Sequence, residues 1–176
     1  MAGASQEGSL VTAVAKTEAI LRKQLVQGAP NHYILHWKPE IMHAEAHADN
    51  TSRIVWRFCC PAEYRNPVGH VFGGAIATLL DVGTSLCISL IGKPKFYSTL
   101  GASRNLNITF LRPAKIDEPL RLDCKVMQGT DDEQQVINAG NKLALIRGDL
   151  YREKDGALVA TCEHNKYNSQ GDNPKL

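Results

Sequence analysis

The alternation of apolar and polar residues divides the chain into recognisable runs. In residues 10–27, LVTAVAKTEAILRKQLVQ, the residues Leu10, Val14, Leu21 and Leu25 fall near one face at helical spacing, and Gly28, Ala29 and Pro30 stop the run. Residues 40–47 and 52–60 alternate or are β-branched, and the ADNT between them is a hairpin signal. Residues 73–91, GGAIATLLDVGTSLCISLI, are the most apolar stretch of the chain. A helix that is apolar on most sides in a chain of ordinary composition is one wrapped by other structure. After a loop at Gly92 to Pro94, strand patterns run over 98–112, 119–129, 142–153 and 157–166, with EKDG at 153–156 making the last hairpin turn.

The order is therefore one helix, two strands, one long buried helix and four strands. Segregated strands around a central helix predict an α+β domain in which a curved antiparallel sheet wraps that helix. Residues 40–166 form this expected domain. Residues 1–39 are an N-terminal extension carrying the helix at 10–27, which is expected to pack on the main domain, and 167–176 form a polar tail. A length of 176 residues suits one domain with a substantial core.

Composition removes several function classes. Hydrophobic residues make up 43% and charged residues 22%, and the formal net charge is +2 with no basic block, so nucleic acid is not an expected partner. The 73–91 run is long enough for a membrane span. Asp81 near its centre would cost about 2.5–3.5 kcal/mol there, and Gly, Ser and Thr are scattered through it, so a buried helix is expected instead. The five cysteines show no metal-like spacing. Adjacent Cys59 and Cys60 would point to opposite faces of a strand, so free thiols in a reducing compartment are expected, with no metal site. MAGASQEGSL lacks the pattern of a secretory signal, and a cytoplasmic location is expected. The terminal PKL approximates the peroxisomal SKL with Pro174 in first place, and a mitochondrial presequence is weakened by Glu7 and Glu18.

Candidate chemistry concentrates in NPVGHVFGGAIATLLD, residues 66–81. The first turn of a helix leaves backbone N–H groups unpaired at the positive end of its dipole. Glycines at Gly73 and Gly74 would let a ligand carbonyl reach that backbone, or would merely allow close helix–sheet packing. Asp81 two turns on is expensive to bury unpaired, which marks it as a functional candidate beside the alternative of an acid satisfied by hydroxyls. Thr84 and Ser85 share its helix face and could orient the carboxylate or a water, or could bond back to their own helix. Asn66 can hold a water or fix the loop before the glycines.

Asn66, Gly69, Gly73, Gly74 and Asp81 fit the spacing N-x-x-G-x-x-[H]-G-G-x(6)-D. With NITFLRPAK at 107–115 and DGALVATCEH at 155–164, the chain resembles the hotdog-fold acyl-CoA thioesterases of the PaaI-like group over about residues 40–165. The resemblance implies a hotdog fold, paired into homodimers or homotetramers. It also implies hydrolysis of acyl-CoA or acyl-carrier-protein thioesters, with no metal or bound organic cofactor, coenzyme A being part of the substrate. By its motif, Asp81 acts as nucleophile or general base and the Gly73 N–H polarises the carbonyl. Ser85 matches a helical hydroxyl position, and Ser103 a strand position that helps hold water. Phe72 stands where the family usually carries His, while His70 lies two residues earlier. His70, Phe72, Gly74 and Thr84 are the expected substrate-binding residues, with Phe72 at the mouth of an acyl tunnel.

Asp81 lies eight residues past Gly73, about 12 Å of helix rise. A base and an oxyanion donor acting on one carbonyl must each sit about 3 Å from the reacting atoms. One subunit cannot supply both, whereas a two-fold dimer can place Asp81 of one chain opposite Gly73 of the other. The competing expectations are a dehydratase of 3-hydroxyacyl thioesters, which needs a His and an acid together and is weakened by Phe72, and a non-catalytic acyl-CoA-binding module.

Overall fold

The computed structural model describes Ala15, Ala19 and residues 36–127 and 142–169. The expected helix at 10–27 lies outside the described residues apart from those two alanines, as does most of the tail.

Six strands and one long helix make up the described fold. They are β1 (Glu40–Ala46), β2 (Ser52–Cys59), α1 (Gly73–Ser89), β3 (Ala102–Phe110), β4 (Pro119–Val126), β5 (Leu143–Arg152) and β6 (Leu158–Tyr167). A single 3-10 turn, Ala62–Tyr64, leads from β2 towards α1. The strands form one antiparallel sheet in the order β1-β2-β4-β5-β6-β3, with α1 packed across it chiefly on β4 and β5. This is the antiparallel sheet packed on one long helix that the element order predicts, and the hotdog arrangement that the family resemblance implies.

Period-two burial in β4 and β5 puts Leu120, Leu122, Cys124, Ile146 and Leu150 against Leu80, Leu86 and Ile88 of α1, all essentially solvent-free. Each fully buried Leu or Ile contributes about 1.5–3 kcal/mol of transfer free energy. Two glycines let the layers meet. A Cβ on Gly83 would lie 2.5 Å from Leu122 Cδ2, and one on Gly148 would lie 2.9 Å from Cys162 Sγ and 3.0 Å from Thr84 Cγ2. Close helix–sheet packing is therefore the task of Gly83 and Gly148 rather than of the Gly73–Gly74 pair.

Two of the boundary differences from the sequence expectation have a visible cause. The helix closes at Ser89 because Leu90 and Ile91 bond back three residues, to the carbonyls of Cys87 and Ile88. β3 begins at Ala102 rather than 98 because Leu100 and Gly101, with φ of 67° and 66°, are left-handed and cannot extend a strand. Ahead of β1, Trp37 stacks at tilted angles on Phe58 and Tyr64, so the chain is anchored to the domain before its first strand.

β1 and β3 are the sheet edges. β3 is exposed along most of its length and carries a register shift between Ser103 and Asn105 beside β6. All five cysteines are free, with Cys59 exposed and Cys60 buried, as opposite faces of a strand require. Among the described residues no helix is long and apolar enough to cross a membrane.

Candidate active site

Asp81 sits on a flank of α1 where β3 and β6 converge. Its side chain is 47% exposed in the protomer, so the expectation of a buried acid is corrected: this turn of α1 faces past the edge of the sheet rather than into the core. Ser103 on β3 donates a long hydrogen bond of 3.4 Å to Asp81 Oδ1. His164 Nε2 lies 3.5 Å from the same oxygen and 2.9 Å from Ser103 Oγ. On the other side of the ring, His164 Nδ1 is 2.6 Å from Thr84 Oγ1. Lys166 Nζ donates to Ser85 Oγ at 2.8 Å and to Ser103 Oγ at 3.3 Å.

Elementary geometry builds this cluster. On α1, Thr84 and Ser85 follow Asp81 by three and four residues and so share its flank. Along β6 the inward face carries Cys162, His164 and Lys166, alternating with the more exposed Glu163, Asn165 and Tyr167. Ser103 is the register partner of Lys166, and the adjoining bulge in β3 aims that strand's end at the cluster.

His164 is fully buried. Burial first, and then the nearby Lys166 ammonium, push its imidazole down to about 4, while Asp81 pulls the other way. The ring is therefore neutral near pH 7, and one nitrogen carries the proton. Thr84 Oγ1 donates its one proton to the Leu80 carbonyl at 2.6 Å, so at Nδ1 it accepts from the ring. The arrangement places the ring proton on Nδ1. Burial also lowers the pKa of Lys166, opposed by Asp81. Its three donors meet only neutral hydroxyls in the cluster, and the nearest carboxylate is that of Asp81.

At the opposite end of α1, the amides of Gly73 and Gly74 donate no hydrogen bond among the described residues, as the first turn of a helix requires. A Cβ on Gly73 would meet only Phe110, at 3.8 Å, an ordinary contact. Gly74 is different, since its Cβ would fall 2.4 Å from the Phe72 ring. The approach to these amides is shaped by Asn66, whose Oδ1 accepts from the backbone N–H of Val68 and of His70 at 3.1 and 3.0 Å. Gly69 completes the turn with a φ of 88°. His70 is tied into the loop by its backbone, and its imidazole makes no hydrogen bond among the described residues. Beside the amides, a largely apolar cavity of about 270 Å³ is bounded by Trp37, Tyr64, Phe72, Gly74, Thr78 and Leu79.

The sequence-expected residues thus fall into two groups. Asp81, Ser85, Thr84 and Ser103 come together at one flank of α1; Asn66, His70, Phe72, Gly73 and Gly74 gather at its N-terminus. One expectation is corrected: Thr84 is fully buried beneath Asp81, so it cannot bind substrate. Ser85 follows the second of its two stated alternatives, bonding back to the Asp81 carbonyl at 2.7 Å, and it also accepts from Lys166. His164 and Lys166 were not expected at all. The signal for them was present: carrying the inward register of β6 on from Cys162 lands on both. Among the described residues no three His, Cys, Asp or Glu side chains form a metal-binding group.

A sequence profile described as Thioesterase superfamily matches residues 68–131, the segment holding the glycine loop, α1, β3 and β4. The chain is 29% identical to acyl-coenzyme A thioesterase 13 of Homo sapiens over 107 residues, 60% of this chain. The match spans 65% of that relative's length. The zebra fish thioesterase superfamily member 2 structure superposes with a TM-score of 0.58 at 25% identity, covering 75% of this chain and 82% of that one. The PaaI protein of E. coli, from the phenylacetic acid degradation operon, superposes with a TM-score of 0.64 over 91% of this chain and 95% of its own; at 13% identity it bears on the fold alone.

Proposed function

We propose that this chain is a member of the thioesterase superfamily and hydrolyses acyl-CoA, or an acyl chain on a carrier protein, to a free acid and a thiol. Asp81 takes a proton from water as the water oxygen bonds to the thioester carbonyl carbon. The Gly73 N–H donates to the carbonyl oxygen as negative charge develops there. The C–S bond then breaks, and the proton held by Asp81 is available to the leaving thiolate. The superfamily profile and the acyl-coenzyme A thioesterase relative support the reaction class.

The observation that carries the reading is the separation of two reactive groups on one helix. A half-exposed carboxylate stands eight residues from a pair of first-turn amides without partners, about 12 Å of rise. Neither group is saturated by its own protomer, and both are open to a second copy. β3, an exposed edge strand bearing Ser103 near one end and Phe110 at the other, offers unpaired backbone groups on which a two-fold partner could dock. Such a partner would bring its Gly73 to Asp81. The cavity beside Gly74 and Phe72 then accepts the acyl group, and its apolar walls favour a hydrocarbon or aryl chain over a polar one.

A dehydratase would need its imidazole at the substrate. The only imidazole beside Asp81 among the described residues, that of His164, is fully buried, which weighs against that alternative. Thiol release from a panel of acyl-CoAs tests the proposal. Release abolished by Asp81→Asn supports it; release unchanged by that substitution refutes it.

A further inference from the structure

We propose that Trp37 is the specificity-determining wall of the acyl cavity, setting the longest chain that the cavity takes. The inference rests on the reading of the cavity beside Gly74 and Phe72 as the acyl site. Exposure separates its mouth from its floor. Phe72, Gly74 and Thr78 are exposed and mark the opening, whereas Trp37, Ala75 and Leu79 are buried and close the inner end. An acyl chain whose carbonyl sits at the Gly73 amide enters beside Phe72 and runs towards those three.

What lies behind the floor decides which residue matters. Ala75 has only a methyl group to give up. Behind Leu79 is a void of about 10 Å³ beside Trp56 and Gly83, no larger than one water needs. Behind Trp37 is a second cavity of about 310 Å³, shared with Lys38, Arg57 and Asp117. The indole is therefore a partition between an apolar space of about 270 Å³ and a charged one. It is held on two sides, by the rings of Phe58 at 5.5 Å and Tyr64 at 5.3 Å, and is only 3% exposed. A side chain packed in this way is a rigid wall and gives a sharp limit. Hydrocarbon is stopped first by the volume of the indole and then by the charged groups beyond it. The apolar space lies at the small end of the roughly 300–1,000 Å³ usual for ligand sites, so the chains that fit are short to medium. Trp37 precedes β1 and lies outside the profile-matched residues 68–131, so this limit is written in a different part of the chain from the glycine loop.

Saturated acyl-CoAs of increasing length test the wall. In the parent, kcat/KM should fall beyond a limiting length, one methylene too many costing on the order of 10-fold or more. Trp37→Ala opens the partition, so the ratio of kcat/KM beyond that limit to kcat/KM within it should rise by about 10-fold or more. A change that only loosens the fold lowers both values and leaves the ratio in place. A folded Trp37→Ala enzyme with the parental ratio therefore overturns the inference, and so does a Leu79→Ala enzyme whose limit moves as far. A second readout leaves position 37 untouched. The chain has two tryptophans, and Nε1 of the other, Trp56, has no hydrogen-bond partner, so Trp56→Phe breaks no hydrogen bond and leaves Trp37 as the sole indole. Its emission is followed on titration with ketone analogues of acyl-CoA, in which a methylene between sulfur and carbonyl prevents hydrolysis. Short chains should leave the emission unchanged, and a shift should set in at the length where parental kcat/KM begins to fall. Bound analogues that never move the emission overturn the inference, while thiol release lost in Asp81→Asn still leaves the proposed function standing. An emission shift that sets in with chain length, in a protein that releases no thiol, upholds the wall and refutes the hydrolysis; analogues that fail to bind overturn both.

Discussion

His164 Nε2 stands 3.5 Å from Asp81 Oδ1, although the imidazole is solvent-free and the Asp81 side chain is 47% exposed. One group is locked and the other is open. The pair spans the boundary between the core and the surface of the protomer, and that contrast organises the expectations below.

Replacing Asp81 with Asn removes the proposed base while keeping the shape of a half-exposed side chain. Thiol release should fall by about 10²–10⁴-fold, with the melting temperature within a few degrees of the parent. Parallel assays of thiol release and thermal unfolding check both halves of that statement.

The glycines of α1 should separate by role. Gly73→Ala adds a Cβ with only an ordinary contact to Phe110, so stability should hold while turnover falls as the substrate is kept from the amide. Gly83→Ala drives a Cβ to 2.5 Å from Leu122 Cδ2 and should destabilise the fold by about 1–3 kcal/mol through overpacking. Equal melting temperatures for the two variants would contradict this division.

Stability should decline on mild acidification. The folded-state pKa of His164 is pushed from 6.5 to about 4, so between those values the unfolded chain binds a proton that the native state refuses. Stability is then fully present above about pH 6.5 and is lost progressively as the pH falls towards 4. The ceiling is of order 3 kcal/mol. Urea denaturation at pH 7.5 and pH 5 measures it, and His164→Gln should flatten this part of the dependence.

Lys166 should trade stability for function. Its ammonium is buried among neutral hydroxyls, so Lys166→Met removes a desolvated charge and should leave the melting temperature unchanged or higher. Turnover should nevertheless fall, because Ser103 loses the donor that steadies it. A variant that is less stable but fully active would contradict this assignment.

Much of this architecture was legible in the sequence, because its strands and long helix are written in periodicity. The apolar run around Asp81 reads as one long helix, and EKDG marks the hairpin between β5 and β6. The site was legible in part, because Asn66, Gly73, Gly74 and Asp81 lie within one short stretch with recognisable spacing. What sequence patterns could not supply was the lateral packing of β6 on α1. His164 and Lys166 are polar residues in an inward register, and local polarity argues for exposure when the strand's neighbours are unknown. Thr84 and Ser85 were ambiguous for a related reason: a helical hydroxyl can bond back to its own backbone or forward to a neighbour, and here each does both. Asp81 erred in the other direction, since its apolar sequence neighbours suggested burial while its turn of α1 looks past the sheet edge.

Subunit complementation tests the central claim most directly. Asp81→Ala and Gly73→Val chains, each inactive alone, are mixed in equal amounts under conditions of demonstrated subunit exchange. If each site takes its acid from one chain and its amide from the other, half of the dimers are hybrids with one intact site in two, and activity should recover to about a quarter of the parental value. No recovery despite proven exchange would contradict the composite site.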